Sequence, residues 1–174
     1  MSGQKRSIQL LGQIAGTHGL RGALKIRTHP GDAPALLATD RVWLDVGSGA
    51  PECRRIESAE LRKGYAVIQL RDCRHISQAA PLVGSQVGID PADLERQPGQ
   101  FFWFELSGLE TIDRERGVIG TVDGMFFTAA HGILVIDGVA GEVLLPFLDQ
   151  FVERVDVDAG KVFVDVPEGL FPET

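Results

Sequence analysis

Hydrophobic and polar residues alternate in short runs along most of the chain, which is the pattern of β-strands with one buried face. One such run places Leu24 and Ile26 on a single parity and charged residues on the other. Similar runs lie at 8–16, 42–46 and 66–70, and five more follow residue 117. This periodicity predicts an all-β fold.

Helical segments are predicted to be few and short. One is expected at 74–82, with Asp72 as a candidate N-terminal cap and Gly84 just beyond its end. A second helical turn is expected at 34–37.

A change of pattern divides the chain. Residues 91–99 contain two prolines and a glycine and have no apolar period, which is typical of a linker. We therefore predict an N-terminal domain at 1–90 and a C-terminal domain at 100–174. Many short strands in domains of this size favour two different small barrels in tandem, because closure removes exposed sheet edges.

The two halves carry opposite charge. Residues 1–97 hold 13 Lys and Arg against 10 Asp and Glu, a net charge of +3, whereas 98–174 hold 4 against 14, a net charge of −10. This asymmetry predicts a basic surface for nucleic acid or acidic lipid head groups and an acidic surface for a basic protein. Solubility alone is the alternative explanation for the acidic half.

The basic residues of the first half are concentrated on one strand. Arg21, Ala23, Lys25, Arg27 and His29 alternate with apolar residues, so they are predicted to form a cationic row on one strand face. A short row of positive charge suits a phosphate backbone. Arg21, Lys25 and Arg27 are therefore candidate RNA contacts.

A glycine-rich turn precedes this row. Glycine recurs at every third position of 16–22, which permits a tight turn, and His18 within the turn is a further candidate RNA contact. The turn leads into a strand and lacks the Gly-Lys-Ser/Thr ending of a phosphate-binding loop. Nucleotide hydrolysis is therefore a poor match.

Other chemistry has weak support. Cys53 and Cys73 are too few and too far apart for a disulfide framework or a zinc site, the four histidines are dispersed, and Ser85 lacks the glycine spacing of a hydrolase nucleophile. Acidic clusters at 110–115 and 156–165 alternate with apolar residues, which favours the solvated face of a sheet over paired catalytic acids. We predict no catalytic residues, metal or cofactor.

The chain is also expected to be cytoplasmic. No apolar stretch approaches the roughly 20 residues that span a bilayer, and residues 1–6 lead into no signal-peptide hydrophobic region.

Four consecutive aromatic residues, Phe101, Phe102, Trp103 and Phe104, begin the acidic domain. In an extended segment two would face each way, so the outward pair would be covered either by the interdomain seam or by a partner protein. Phe101, Phe102 and Trp103 are candidate partner contacts.

Several segments together resemble the RimM family of ribosome maturation factors. The glycine-rich turn and following strand at 12–26 are similar to the opening of that family. Residues 101–106, 117–122, 142–147 and 155–170 are similar to the aromatic entry, strands, closing hairpin and tail of its C-terminal domain. The resemblance covers nearly the whole chain.

The resemblance implies an N-terminal barrel like those of translation factors, a C-terminal PRC-barrel and a non-enzymatic, monomeric assembly factor of the small (30S) ribosomal subunit. The implied partners are 16S rRNA in the immature subunit and a basic protein of the subunit head, of the S19 family. In the family, the position of Phe101 and Phe102 is usually occupied by tyrosines that take part in partner binding. Here the phenolic hydroxyls are missing, so apolar contact would have to suffice.

Two other classes of function stay open at this point. Small barrels host many roles, so the C-terminal domain could tether proteins unrelated to ribosomes. An RNA-processing enzyme is the third possibility.

Overall fold

The computed structural model describes residues 6–47 and 49–173. The chain forms two compact units, the first ending at Phe102 and the second running from Trp103. Residues 1–5, on which the expectation about a signal peptide partly rests, lie outside the described residues.

The first unit is a closed barrel of six strands. Their order around the barrel is β1-β2-β5-β4-β3-β6, and every pairing is antiparallel. The strands are β1 (Gln9–His18), β2 (Ala23–Thr28), β3 (Arg41–Asp45), β4 (Glu52–Arg62), β5 (Tyr65–Leu70) and β6 (Gln86–Ile89). Closure leaves this sheet without a free edge.

The barrel core follows the alternation predicted from the sequence. Leu24 and Ile26 on β2 are completely buried, as are Ala66 and Ile68 on the neighbouring β5. Register explains this agreement, because Leu24 lies opposite Ile68 and Ile26 opposite Ala66. The intervening positions of β2 therefore face outward.

The helices are shorter than predicted. α1 (Ile76–Ala79) continues into a 3-10 turn at Ala80–Leu82, so the helical segment predicted at 74–82 is present. Its cap is His75 rather than Asp72: the His75 Nδ1 accepts the Ser77 N–H at 3.1 Å, whereas Asp72 is held by Arg54 at 2.8 Å. The helical turn predicted at 34–37 is a 3-10 helix at Ala33–Leu36.

The second unit is a six-stranded sheet with the order β10-β9-β8-β7-β12-β11. All its pairings are antiparallel except the parallel pair of β7 and β12. Its elements are α2 (Trp103–Leu106), β7 (Glu110–Asp113), β8 (Gly117–Phe127), β9 (Gly132–Gly138), β10 (Gly141–Pro146), β11 (Val152–Asp156) and β12 (Lys161–Val164).

This sheet must be strongly curled. Its two end strands, β10 and β11, are joined by residues 147–151 only. The six steps from Pro146 to Val152 reach at most about 20–22 Å when fully extended, and the connection is shortened further by the turn bond from the Val152 N–H to the Leu148 carbonyl at 2.8 Å. Six flat strands would separate the outer pair by about 24 Å.

The prediction of an all-β protein with two small β-sheet domains is confirmed. The predicted linker at 91–99 stays a prediction. Within it the chain forms a 3-10 helix at Pro91–Asp93, and the Glu95 N–H donates to the Ala38 carbonyl at 2.6 Å, so its first part is bonded to the barrel unit.

Candidate nucleic-acid and protein-binding surfaces

The predicted RNA contacts lie together on the outside of the barrel. His18 ends β1, Arg21 lies in the turn to β2, and Lys25 and Arg27 occupy outward positions of β2. His18, Arg21 and Arg27 are exposed and Lys25 is half-buried. We call these four residues the basic face.

The turn that carries Arg21 is fixed by close packing. Gly19 and Gly22 have φ of 73° and 78°, a left-handed conformation that favours glycine. A Cβ on Gly22 would lie 2.7 Å from the His75 carbonyl oxygen, so the backbone approach itself requires glycine there. The Gln69 amide donates to the Arg21 carbonyl at 3.1 Å, which holds the turn against β5.

Lys25 is positioned by a tyrosine from the next strand. Its Nζ lies 4.2 Å from the centroid of the Tyr65 ring, within the range of a cation–π interaction. On the other side of Lys25, β1 presents Gly16, directly opposite in register and without a side chain. Sequence reasoning missed Tyr65, because its place beside Lys25 depends on the register of β2 with β5.

The arginines and the lysine of the basic face have no acidic partner in the described part of the chain: no carboxylate oxygen there forms an ion pair with Arg21, Lys25 or Arg27. A groove of about 900 Å³ borders His18 and Arg21 and contains two carboxylates, Glu57 and Glu60. These are paired with Arg74 and Arg62 respectively, so the charges of the basic face remain available.

The cationic row is shorter than predicted, because His29 does not belong to it. His29 follows β2, and its Nδ1 accepts the Gly31 N–H at 2.9 Å. Partial burial lowers the pKa of His29 below its ordinary value, so the imidazole is neutral at pH 7. Ala23, within the row, is buried.

The acidic unit contains one carboxylate that is structural. Asp113 was expected on the solvated face of the sheet, and that expectation is wrong: Asp113 is buried. Its carboxylate accepts the N–H groups of Val166, Arg116 and Glu115 at 2.9, 3.0 and 3.1 Å, and the Arg116 guanidinium lies 3.2 Å away. Burial raises the pKa of Asp113, but these donors more than offset it and leave the pKa below its ordinary value.

Four other acidic residues lie in a row across the outer face of the second sheet, and this row also contains Thr121 and Lys161. Strand register places the residues of this row directly opposite one another on neighbouring strands. Along each strand, they are adjacent to residues that point into the core. In order from β10 to β11 the row is Glu142, Asp137, Thr121, Glu110, Lys161 and Asp156. We call it the carboxylate row.

Three carboxylates of this row form no ion pair among the described residues, although Lys161 lies directly opposite Glu110. Within residues 6–47 and 49–173, no ion pair involves Glu110, Asp137 or Glu142, and Asp156 alone is paired, with Arg154 at 3.6 Å. Like charges directly opposite on neighbouring strands, as with Asp137 and Glu142, destabilise a sheet. Asp137 and Glu142 therefore carry adjacent negative charges that no ion pair offsets among the described residues.

Comparisons with known proteins agree with these two units. The RimM N-terminal domain model matches residues 9–94, and the RimM PRC barrel domain model matches residues 103–170. The ribosome maturation factor RimM of Syntrophotalea carbinolica is 38% identical over 173 residues, which cover 98% of each chain. The chain belongs to the RimM family. RimM of Myxococcus xanthus is 32% identical over 160 residues, covering 91% of this chain and 85% of the relative.

A solved RimM structure is also similar. The crystal structure of a RimM protein from Pseudomonas aeruginosa is 25% identical, with a TM-score of 0.48, and the match covers 94% of this chain and 99% of the other. The family models and the curated relatives confirm the resemblance to the RimM family and the C-terminal PRC-barrel that it implied.

The aromatic segment of this RimM chain differs from the predicted extended segment, because Trp103 begins α2. Phe102 is completely buried, with the Arg96 guanidinium 5.5 Å from its ring centroid. This burial gives Phe102 a packing role, and its role as a partner contact stays a prediction. Phe101 and Trp103 are partly exposed, and their role in partner binding stays a prediction.

The remaining candidate chemistry of this RimM chain is sparse. The described residues contain no group of three or more metal-ligating side chains, and no helix among them has the length and apolar character to cross a bilayer. Cys53 is exposed, whereas Cys73 is buried, and its burial raises the pKa of the thiol. Cys73 is therefore suited to packing rather than to nucleophilic chemistry.

Proposed function

We propose that this RimM-family protein is a non-enzymatic, cytoplasmic assembly factor that binds the immature 30S subunit as a monomer. In this proposal the basic face binds 16S rRNA, and the acidic unit binds a basic protein of the subunit head, of the S19 family. Its binding aids head assembly and 16S rRNA maturation. Curated relatives named ribosome maturation factor support the general role.

The observation that carries the proposal is the separation of unpaired charge. Among the described residues, Arg21, Lys25 and Arg27 form no ion pair with a carboxylate, and Glu110 and Asp137 form none with a basic group. Charged side chains without internal ion pairs are available to external ligands of opposite sign. One protein that presents both signs can therefore bind two different components of a ribonucleoprotein particle.

Phosphate is the ligand expected at the basic face. Exposed guanidinium groups bind phosphate through paired N–H donors, and Lys25 supplies a point charge. The Tyr65 ring beside Lys25 adds an aromatic surface on which an unpaired base of RNA can stack. Such contacts position RNA without requiring a particular sequence.

The expected effect on assembly is thermodynamic. A chaperone of this kind shifts an equilibrium only if it binds one arrangement of rRNA and protein more tightly than the competing ones. Simultaneous contact with rRNA and with a head protein would favour arrangements in which the two lie close together. No covalent step is needed for this.

Co-sedimentation is the primary test. The full chain is expected to migrate with immature small subunits and not with mature 70S ribosomes, and to bind the purified S19-family protein in isolation. Equal binding to mature ribosomes, or none to immature subunits, would contradict the proposal. Cleavage or modification of purified precursor rRNA by the chain alone would instead indicate an enzyme, and capture of unrelated proteins only would indicate a tethering module.

A further inference from the structure

A groove of about 680 Å³ lies on the outside of the PRC-barrel unit. The start of β8 forms one wall and the hairpin between β9 and β10 forms another, while Phe171 near the C-terminus contributes a third side. The residues that define it here are Val118, Val139, Phe171, Glu110 and Asp137. We call it the valine groove.

The floor of the valine groove is backbone. β8 and β9 approach so closely there that a Cβ on Gly120 would collide with the Asp137 carbonyl oxygen, and one on Gly138 with the Ile119 carbonyl oxygen. Glycine at both positions allows this approach and also leaves no side chain to fill the groove. The space is therefore open to a side chain from a ligand.

The walls carry apolar side chains that stay exposed to solvent in the isolated protein, where they contribute no stability through burial. Val139, at the tip of the β9–β10 hairpin, is fully exposed, and Val118 is 61% exposed. Hairpin tips are usually polar or glycine-rich. Phe171 is held in place by the Arg116 guanidinium, 4.2 Å from its ring centroid.

Charge identifies the kind of ligand. Glu110 and Asp137 of the carboxylate row border the valine groove, and Glu142 follows directly opposite Asp137. Among the described residues, Arg116 is the one cation that lines the groove, and it is already bound to the buried Asp113 at 3.2 Å. Phosphate groups of RNA would be repelled by these carboxylates, whereas lysine and arginine would be attracted.

We infer that the valine groove binds a segment of the basic ribosomal protein partner, with an apolar side chain between Val118 and Val139 and adjacent lysine or arginine groups on Glu110 and Asp137. This inference rests on the proposed function, because it names the surface through which the acidic unit would bind its basic protein. An apolar contact rimmed by complementary charge is the usual anatomy of such an interface.

Calorimetric titration of the full chain with purified S19-family protein tests the inference. The double variant Glu110→Gln/Asp137→Asn is expected to bind about tenfold more weakly and with a smaller dependence on salt. The matched control Asp149→Asn/Asp158→Asn removes the same charge from exposed positions outside the groove, and its dissociation constant is expected to change less than about twofold.

A second variant keeps the charge and tests the apolar contact. Val139→Ser is expected to bind about fivefold more weakly with an unchanged salt dependence, because truncating an exposed apolar contact removes burial and no ion pair. Since Val139 is fully exposed, the melting temperature of the free protein should not change. Backbone amide NMR shifts on titration should concentrate at 118–121 and 137–143.

The outcomes separate this inference from the proposed function. If the wild-type chain binds the S19-family protein and both groove variants bind equally well, the valine groove is not the site, although the proposed partner stands. If shifts concentrate elsewhere in the chain, the inference is likewise overturned. If the wild-type chain does not bind this protein at all, both the inference and the protein-binding part of the proposed function fail.

Discussion

The barrel unit and the PRC-barrel unit have the same number of strands but build their charged surfaces differently. In the barrel unit the available cations lie close together in sequence, on one turn and one strand that begins at Ala23. In the PRC-barrel unit the available carboxylates Glu110, Asp137 and Glu142 come from three strands and meet only through register. A surface of the first kind can be predicted from local periodicity, and one of the second kind cannot.

Each unit also uses some of its charge for structure. Asp113 supports the PRC-barrel unit from within, whereas neighbouring members of the same acidic cluster face solvent. In the barrel unit, Glu57 and Glu60 are neutralised by arginines while the basic face is not. Net charge alone therefore does not identify the residues that are free to bind a partner.

The largest expected effect is a loss of stability, and it distinguishes a buried from a partly exposed aromatic residue at the end of the barrel unit. Phe102→Ala should lower the free energy of unfolding by about 3–5 kcal/mol, because it removes a fully buried ring and leaves a cavity. Phe101→Ala, at a partly exposed ring, should cost less than half as much. Chemical denaturation measures both. A stable Phe102→Ala protein that had lost partner binding would contradict the packing role and support Phe102 as a partner contact.

The next largest effect is also on the free energy of unfolding, and it distinguishes a buried structural carboxylate from a solvent-exposed one in the PRC-barrel unit. Asp113→Asn should lower the free energy of unfolding by about 2–4 kcal/mol, because an amide cannot accept all the hydrogen bonds of the buried carboxylate. Asp158→Asn, at an exposed position, should change it by less than about 0.5 kcal/mol. Equal effects of the two substitutions would contradict the structural role of Asp113.

The same carboxylate predicts an acid dependence. Since the pKa of Asp113 is lower in the folded than in the unfolded chain, its contribution is complete above the ordinary aspartate value of about 3.9. That contribution is lost as the pH falls through the lower folded pKa. Unfolding measured between pH 5 and pH 2 should show a smaller loss of stability for Asp113→Asn than for the wild-type chain.

A binding experiment tests whether the two units meet different components. Lys25→Ala/Arg27→Ala should weaken binding to immature subunits about tenfold and reduce the slope of log K against log salt by roughly one to two, because fewer counterions are released. The control Arg114→Ala/Arg154→Ala removes two exposed cations from the acidic unit and should leave that slope unchanged. An identical slope for both double variants would exclude Lys25 and Arg27 as phosphate contacts.

The smallest effect concerns His29, whose pKa is lowered by partial burial. Because the fold favours the neutral imidazole, the contribution of His29 to stability is complete above its ordinary pKa of about 6.5. That contribution is lost as the pH falls below this value. His29→Asn retains an acceptor for the Gly31 N–H but does not titrate. Its thermal stability should therefore change less than that of the wild-type chain between pH 7.5 and pH 5.5, and parallel curves would contradict the shift.

Much of the fold could be predicted from local pattern. Alternation at Leu24 and Ile26 identified both the strand and its buried face, and the short helical segment before Gly84 was predicted at nearly its observed position. The cap of that helix was not predicted correctly, because Asp72 binds Arg54, eighteen positions away in sequence. A competing long-range ion pair is invisible to a local capping rule.

The sites were harder to predict, because they depend on contacts distant in sequence. The four aromatic residues at 101–104 lack a strand period, and the helical turn at Trp103 determines their exposure. Tyr65 reaches Lys25 only through the pairing of β2 with β5. The parallel pairing of β7 with β12 brings Glu110 into a row with Lys161, and no spacing in the sequence indicates this.

Site-specific photo-crosslinking of the full chain to immature small subunits tests most directly whether the two units contact different components. A benzophenone amino acid would replace Tyr65 on the barrel unit in one protein and Val139 on the PRC-barrel unit in another. The account predicts that position 65 crosslinks to 16S rRNA and position 139 to a basic ribosomal protein. Crosslinks from both positions to the same component, or the reverse assignment, would contradict it.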